Sequence, residues 1–224
     1  MSVTRRVALS ALYVVVAMGT ASAAELSRYR EFDLGSSVQA VTAVTRTTER
    51  DLKTIHSRPA LLQEVAWQPR YMSGSPVADR GSINEIVFSF VDDRLFRMTV
   101  VYDRSRTSGL TNADMIAALT DVYGAATSPT KASADAALGI TVLAEWQQAD
   151  AGVVLRRSEY NEAFSLVITS LSLEATARKA QTTALMLDAR EAPAREAELA
   201  KKRVDEQRQA EEQARTANKK VFKP

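Results

Sequence analysis

The residues that could carry chemistry are few in this chain of 224 residues. It contains no cysteine and a single histidine, His56. Without cysteine the chain has no thiolate nucleophile, no disulfide and no cysteine-bound metal. One histidine cannot build a multi-histidine metal site. Since His56 stands next to Ser57-Arg58 near the end of a predicted helix, we expect it to be a helix-end or surface residue.

The remaining candidate groups have simpler structural roles. Asp92-Asp93 is the one adjacent pair of aspartates that suggests acid/base catalysis, but it falls at a predicted hairpin turn, where aspartate is favoured for backbone reasons. General acid/base catalysis would need a cleft, which a hairpin tip rarely provides. Ser36-Ser37 and Ser73-Gly74-Ser75 have no base nearby and fit helix-cap or turn positions. We therefore predict a protein that is not an enzyme, with no catalytic, cofactor-binding or metal-binding residues.

The first 23 residues have the pattern of a cleavable signal peptide. Arg5 and Arg6 precede an apolar run over Val7–Met18, and Ala21-Ser22-Ala23 matches the small-residue cleavage pattern. A membrane-spanning helix needs ~20 apolar residues, so this run is too short for an anchor. We predict signal cleavage after Ala23, no integral membrane segment afterwards, and a periplasmic or secreted mature protein.

Charge limits the partners of the mature chain. The whole chain has 29 basic and 27 acidic side chains. Because the predicted signal removes two arginines and no acid, the mature protein is formally neutral. A neutral chain without a basic stripe lacks the electrostatic attraction that nucleic acid requires. We expect a protein partner from the envelope or the secreted fraction, and no nucleic acid.

Residues 24–104 are predicted to form one helix followed by three strands. Apolar residues from Val38 to Ile55 recur at helical spacing, with Ser36 or Ser37 as the cap. A strand is predicted over Leu62–Gln68. The alternating pattern of Ile83–Asp103 predicts a hairpin that turns at Asp92-Asp93-Arg94.

Residues 105–172 show the same succession. A helix is predicted over Thr111–Tyr123, and Gly124 is placed to end it. Three strands follow, over Val142–Trp146, Val153–Arg157 and Phe164–Ser170.

The two halves together predict an α+β protein: two α-β-β-β units that form antiparallel sheet with helices on one face, plus a charged C-terminal helix. Each half has a Trp-Gln pair at the end of a strand, Trp67-Gln68 and Trp146-Gln147. The period of about 75–80 residues predicts an internal repeat. Joining the two sheets side by side would bury apolar area and remove two edges.

The second helix carries a family resemblance. Gly109-Leu110-Thr111, Asp114-Met115, Leu119 and Tyr123-Gly124 resemble a small exported bacterial module, found in an outer-membrane assembly lipoprotein and, in tandem, in β-lactamase inhibitor proteins. In the first half only Gly35-Ser36-Ser37 and Val41 fit the pattern. The chain lacks the lipid-anchor cysteine of the assembly lipoprotein and the disulfides of the inhibitor proteins. Its layout also resembles uncharacterised exported bacterial proteins. The resemblance implies a non-catalytic protein-binding module.

From residue 173 to 224 the chain changes character. Alanine-rich residues 174–192 predict a helix that docks partly on the domain, and Pro193 is expected to kink it or to begin a new helix. The rest has opposite charges four residues apart and no apolar heptad, so we expect a solvated helix rather than a coiled coil. The alternative is a spacer or a partner-binding tail.

Two functions from different classes remain at this point. The first is an exported, non-catalytic protein-binding or envelope-associated module, for which the candidate contacts are Trp67, Trp146 and Phe222. Core packing is the alternative for both tryptophans. The second is a periplasmic carrier of a small ligand, with a pocket between the two units.

Overall fold

The computed structural model of the chain describes residues 25–69, 81–127 and 139–221. The predicted signal peptide, Ser73-Gly74-Ser75 and Phe222 lie outside these residues.

The strands form one large antiparallel sheet and one small ribbon. The ribbon pairs β1 (Arg28–Tyr29) with β2 (Phe32–Asp33). The large sheet has seven strands in the order β3-β4-β5-β6-β9-β8-β7. Its members are β3 (Leu52–His56), β4 (Leu62–Trp67), β5 (Ile83–Val91), β6 (Arg94–Tyr102), β7 (Ile140–Gln147), β8 (Ala151–Ser158) and β9 (Phe164–Ser170).

The described helices differ greatly in length: α1 (Val38–Thr45), α2 (Arg104–Thr107), α3 (Asn112–Tyr123) and α4 (Leu171–Val221). The predicted α+β class with antiparallel sheet and a long C-terminal helix is therefore confirmed. None of the described helices combines the length and the apolar character needed to cross a lipid bilayer.

The helix predicted from Val38 to Ile55 is wrong in its second half. α1 ends at Thr45, and Arg46 adopts a left-handed conformation with φ 57°. The Thr45 hydroxyl donates back to the Val41 carbonyl at 3.0 Å, in the threonine-rich stretch where the chain leaves the helix. A 3-10 turn then leads into β3, so the first unit has four strands and not three.

The two units meet along the pair β6–β9. Val100 lies opposite Leu166, and Met98 lies opposite Ile168, in antiparallel register. All four side chains are fully buried and belong to a single apolar core that includes Val41 of α1 and residues of α3. The two sheets are thus one sheet with one shared core. The common origin of the two units stays a prediction.

α4 begins two residues earlier than predicted and packs on the opposite face of the sheet from α1 and α3. Ala177 and Ala180 are buried against Leu62 and Val91 in a second, smaller apolar cluster. The helix continues through Pro193 to Val221, so no new helix begins at that proline. Small side chains on the docked stretch let the helix backbone approach the sheet closely.

Asp150, in the turn between β7 and β8, holds the start of α4. Its carboxylate accepts hydrogen bonds from the Ser172 amide at 2.9 Å and from the hydroxyls of Ser170 and Ser172 at 2.9 and 3.0 Å. These donors lower the pKa of Asp150 below its ordinary value, the Ser172 amide having the largest effect. The direction of α4 is therefore fixed from the second unit.

Candidate interaction surface

Both tryptophans predicted as candidate contacts lie in the apolar core. Trp67 is 2% exposed, and its ring meets that of Phe32 edge to face at 5.7 Å between centroids. Trp146 is 3% exposed, and its indole N–H donates to the Gly124 carbonyl at 2.8 Å. Their side chains lie on the face of the sheet that α1 and α3 cover. The two tryptophans are therefore core residues, which was the alternative to their role as partner contacts.

The Asp92-Asp93 pair occupies the turn between β5 and β6, and both residues have positive φ, of 46° and 63°. Asp92 Oδ1 accepts a hydrogen bond from the Leu61 amide at 2.9 Å. Asp93 Oδ1 accepts one from the Val38 amide at 2.8 Å, at the first turn of α1. The two carboxylates therefore fasten neighbouring segments to the hairpin tip.

The other polar candidates also have structural roles. His56 ends strand β3 and is half-buried, where we had expected the end of a helix. Thr111 and Asp114 form a reciprocal capping box at the start of α3, as the Gly-Leu-Thr sequence suggested. Within the described ranges, no three His, Cys, Asp or Glu residues stand close enough together to hold a metal ion.

Three buried tyrosines form a polar cluster that the sequence did not reveal. Burial raises the pKa of Tyr29, Tyr102 and Tyr123, and for Tyr102 the rise is large. A hydrogen bond joins the Tyr29 and Tyr102 hydroxyls. These groups stay neutral near pH 7, so the cluster is a polar part of the core rather than a source of protons.

The face of the sheet that carries α4 has partly exposed apolar side chains. α4 crosses this face at one end, where Arg97 of β6 forms an ion pair with Glu174. Next to this ion pair, four side chains form a row across adjacent strands. Val87 pairs with Thr99, Thr99 with Val167, and Val167 with Val154. Val87, Thr99 and Val154 remain partly exposed. We call these four side chains the open face.

Charged residues flank the open face. Two residues further along the same four strands, a second row crosses this face of the sheet. In it Glu85 pairs with Val101, Val101 with Ser165, and Ser165 with Arg156. Glu85 and Arg156 thus stand on either side of a partly exposed Val101. An apolar centre with charges of both signs at its margins is the usual composition of a protein interface.

The sequence contained a signal for the open face. In β5, Ile86 and Phe88 face the core, so Val87 between them faces the other side of the sheet, yet it is also apolar. A strand with one solvated face normally has polar residues at such positions. Apolar residues on both faces of β5 and β9 therefore indicate that the second face is also covered, by α4 or by a partner.

A cavity of about 350 Å³ lies between the two units at the end of the sheet where α4 begins. Gly35 and Arg94 of the first unit line one side, and Asp150 and Ala151 of the second unit line the other. Asp150 already accepts three hydrogen bonds there. The Arg94 side chain is exposed and favours a negatively charged or neutral ligand.

The outer part of α4, residues 194–221, extends away from the sheet. Nearly all of it is exposed, including Leu199 and Val204. At 1.5 Å per residue it is about 40 Å long. A tether holds its base, where Arg58 donates to Glu191 at 2.9 Å and Arg195 lies 3.2 Å from Asp188.

No protein-family model, curated protein sequence or solved structure matches this chain. The resemblance to the outer-membrane assembly and inhibitor module accordingly stays a prediction.

Proposed function

We propose that this protein is an exported, non-catalytic module that binds another envelope or secreted protein through the open face. The observation that supports the proposal is the row of three valines and one threonine on β5, β6, β9 and β8, of which Val87, Thr99 and Val154 are partly exposed. A contiguous apolar patch with a polar rim on a folded domain is typical of a binding site for another protein.

The energetics favour the open face over the two tryptophans. Trp67 and Trp146 could reach a partner only if the core opened, since they are 2% and 3% exposed. The open face needs no such rearrangement, because neighbouring strands of a large sheet already hold its side chains in place. Binding to a preformed surface avoids the cost of ordering it.

The shape of the molecule also fits a binding module. α4 covers one end of the second face and then extends about 40 Å past the domain. An isolated helix is marginally stable in water, and the i,i+4 charge pairs of this stretch, such as Lys202 with Glu206, contribute little each. The tail is therefore suited to a spacer or to a secondary contact with the same partner.

The test is site-specific photocrosslinking in the native cell, with the full chain expressed from its own start. A photoreactive residue replaces Val154 on the open face or, as the matched control, Val122, which is 61% exposed on α3 on the other side of the sheet. We expect one stoichiometric adduct from position 154 and none from position 122. Equal labelling at both positions, or no adduct from either, would refute the open-face interface.

Repeating the crosslinking without residues 193–224 determines what the tail does. An adduct that persists places the contact on the sheet alone. An adduct that disappears shows that the tail takes part in the same interaction.

The second candidate function is a carrier of a small ligand, and the cavity between the two units favours it. A ligand bound there would raise the unfolding temperature according to RT ln(1 + [L]/Kd). A thermal-shift screen of metabolites against the wild type and Arg94→Gln tests it. A stabilising compound whose effect disappears in R94Q would support the carrier, and a screen without any shift would exclude it.

A further inference from the structure

A second cavity lies beneath α4 and is separate from both sites above. It measures about 190 Å³, is partly open to solvent, and lies between the docked part of the helix and strands β3, β4, β5 and β6. At about 30 Å³ per water molecule, it has room for about six waters or one small organic molecule. Its apolar wall consists of Ile55, Leu62, Phe90, Phe96 and Ala177.

A carboxylate stands on the polar wall of this cavity. Glu64 of β4 accepts a hydrogen bond from the Ser89 hydroxyl at 3.1 Å. Among the described residues it has no cationic partner within ion-pair distance. A carboxylate beside an apolar wall is poorly solvated and favours a cationic group of a ligand.

An arginine stands on the same wall, two strands away. Ser89 lies opposite Glu64 on one side and opposite Arg97 on the other, so Glu64 and Arg97 are about 10 Å apart at the backbone. The Arg97 guanidinium pairs with Glu174 of α4, which also accepts from Arg178 at 3.0 Å. The Arg97 side chain is 37% exposed and lines the cavity, although its Nε atom is buried and does not face it.

These observations give the cavity a defined recognition pattern. One side offers a carboxylate that lacks a cation, the other offers the guanidinium group of Arg97, and apolar side chains form much of the remaining lining. We propose that the cavity beneath α4 binds a small zwitterion with an apolar side chain, of the chemical class of a free amino acid. Its ammonium group pairs with Glu64, its carboxylate accepts from Arg97, and its side chain packs against Phe96 and Leu62.

Such a ligand has a structural consequence for the tail. The cavity wall comes partly from the sheet and partly from Glu174, Ala177, Arg178 and Gln181 of α4. A bound zwitterion therefore touches both, and it stabilises the docked position of the helix. Ligand binding should slow amide hydrogen exchange in residues 174–184 of α4 and leave exchange in 199–215 unchanged.

Isothermal titration calorimetry of the full chain with L-leucine and L-phenylalanine tests the proposal. The matched probes each lack one charge: 4-methylpentanoate has no ammonium group, and 3-methylbutylamine has no carboxylate. We expect saturable one-site binding of at least one amino acid, and binding weaker by about tenfold or more for either single-charge analogue, because each loses a charge-assisted hydrogen bond.

Variants locate the site. Glu64→Gln keeps an acceptor for the Ser89 hydroxyl but removes the negative charge, and we expect it to weaken amino-acid binding about tenfold. Arg97→Lys keeps a cation near Glu174 but removes the planar guanidinium group that can donate two hydrogen bonds to one carboxylate, and we expect a similar loss. Glu85→Gln is the control, because Glu85 lies on the same face, bonds to Gln68 at 3.1 Å and does not line the cavity.

Three results would overturn the proposal. One is the absence of saturable heat with any of the twenty common amino acids, which would mean that the cavity holds only water. Another is equal affinity for the single-charge analogues. The third is unchanged binding in E64Q, or an equal loss in E85Q.

Discussion

The shared core between the two units leads to a prediction about how the chain unfolds. Leu166 of β9 is fully buried at the seam, opposite Val100 of β6 on one side and Leu155 of β8 on the other. Its side chain therefore contributes to the packing of both units. Replacing it by alanine should destabilise both of them together.

The size of the effect follows from the burial of Leu166. Leucine-to-alanine changes at fully buried sites cost about 3–5 kcal/mol, the sum of lost transfer free energy and the cavity that remains. For a chain of this length, each kcal/mol lowers the unfolding temperature by about 2–4 °C. We therefore expect Leu166→Ala to lower the Tm by roughly 10 °C.

The two tryptophans provide a separate probe for each unit. Trp67 is in the first unit and Trp146 in the second, and both are buried. Thermal unfolding followed by fluorescence in a Trp146→Phe background reports the first unit, and in a Trp67→Phe background it reports the second. In each background we expect the L166A change to lower the midpoint by the same amount.

A matched control uses the same substitution at an exposed site. Leu199 lies on the extended part of α4 and is 54% exposed, so Leu199→Ala should leave the Tm nearly unchanged. A shift seen by Trp146 but not by Trp67 would refute the shared core, because it would show that the two units unfold independently.

Four further predictions concern the helices. Thr111→Ala removes the cap of α3 and should cost about 1 kcal/mol in urea unfolding. Hydrogen bonds from the Thr111 amide and hydroxyl hold the pKa of Asp114 below its ordinary value of 3.8. The ionised Asp114 carboxylate therefore stabilises the fold fully above pH 3.8, and this stabilisation is lost as the pH falls through the lower pKa of the folded state. Asp114→Asn should flatten the fall of the urea midpoint below about pH 4, and an unchanged fall would contradict this. Glu191→Gln removes the ion pair with Arg58 and should speed amide hydrogen exchange around residue 191. Deleting residues 194–221 should change the Tm by no more than about 2 °C, since this stretch adds no contacts to the core.

Much of the fold could be predicted because local patterns and packing agreed. The alternation of Ile83–Asp103 gave the hairpin, and Thr111 with Gly124 marked the ends of α3. The pattern failed at Leu52 and Ile55, whose spacing of three fits a helix as well as two opposite faces of a strand. The structure places Leu52 against the main core and Ile55 against the α4 cluster. That choice depends on α4, which arrives more than 100 residues later in the chain.

The candidate surface was harder to predict than the fold. Trp67 and Trp146 were candidates because of their residue type, but only the packing of the sheet against α1 and α3 shows that they are internal. The open face and the cavity beneath α4 depend on which rows of the sheet the helix covers. Local sequence patterns do not contain that information.

The course of α4 at Pro193 bears on another local expectation. Pro193 was expected to kink the helix or to begin a new one, because a proline in a helix interior removes one hydrogen bond and crowds the preceding turn. The helix continues through this position to Val221, so no new helix begins there. Beside the proline, ion pairs join Arg58 to Glu191 and Asp188 to Arg195.

The most direct test of the proposed function is the affinity of an open-face variant for the partner captured by photocrosslinking. Val154→Arg places a charge at the β8 end of the open face, and Val122→Arg places the same charge on α3 as a control. Measured by calorimetry with both variants shown to be folded, V154R should weaken binding at least about tenfold, because it buries an unpaired charge, and V122R should bind like the wild type. Unchanged affinity in V154R would contradict the account.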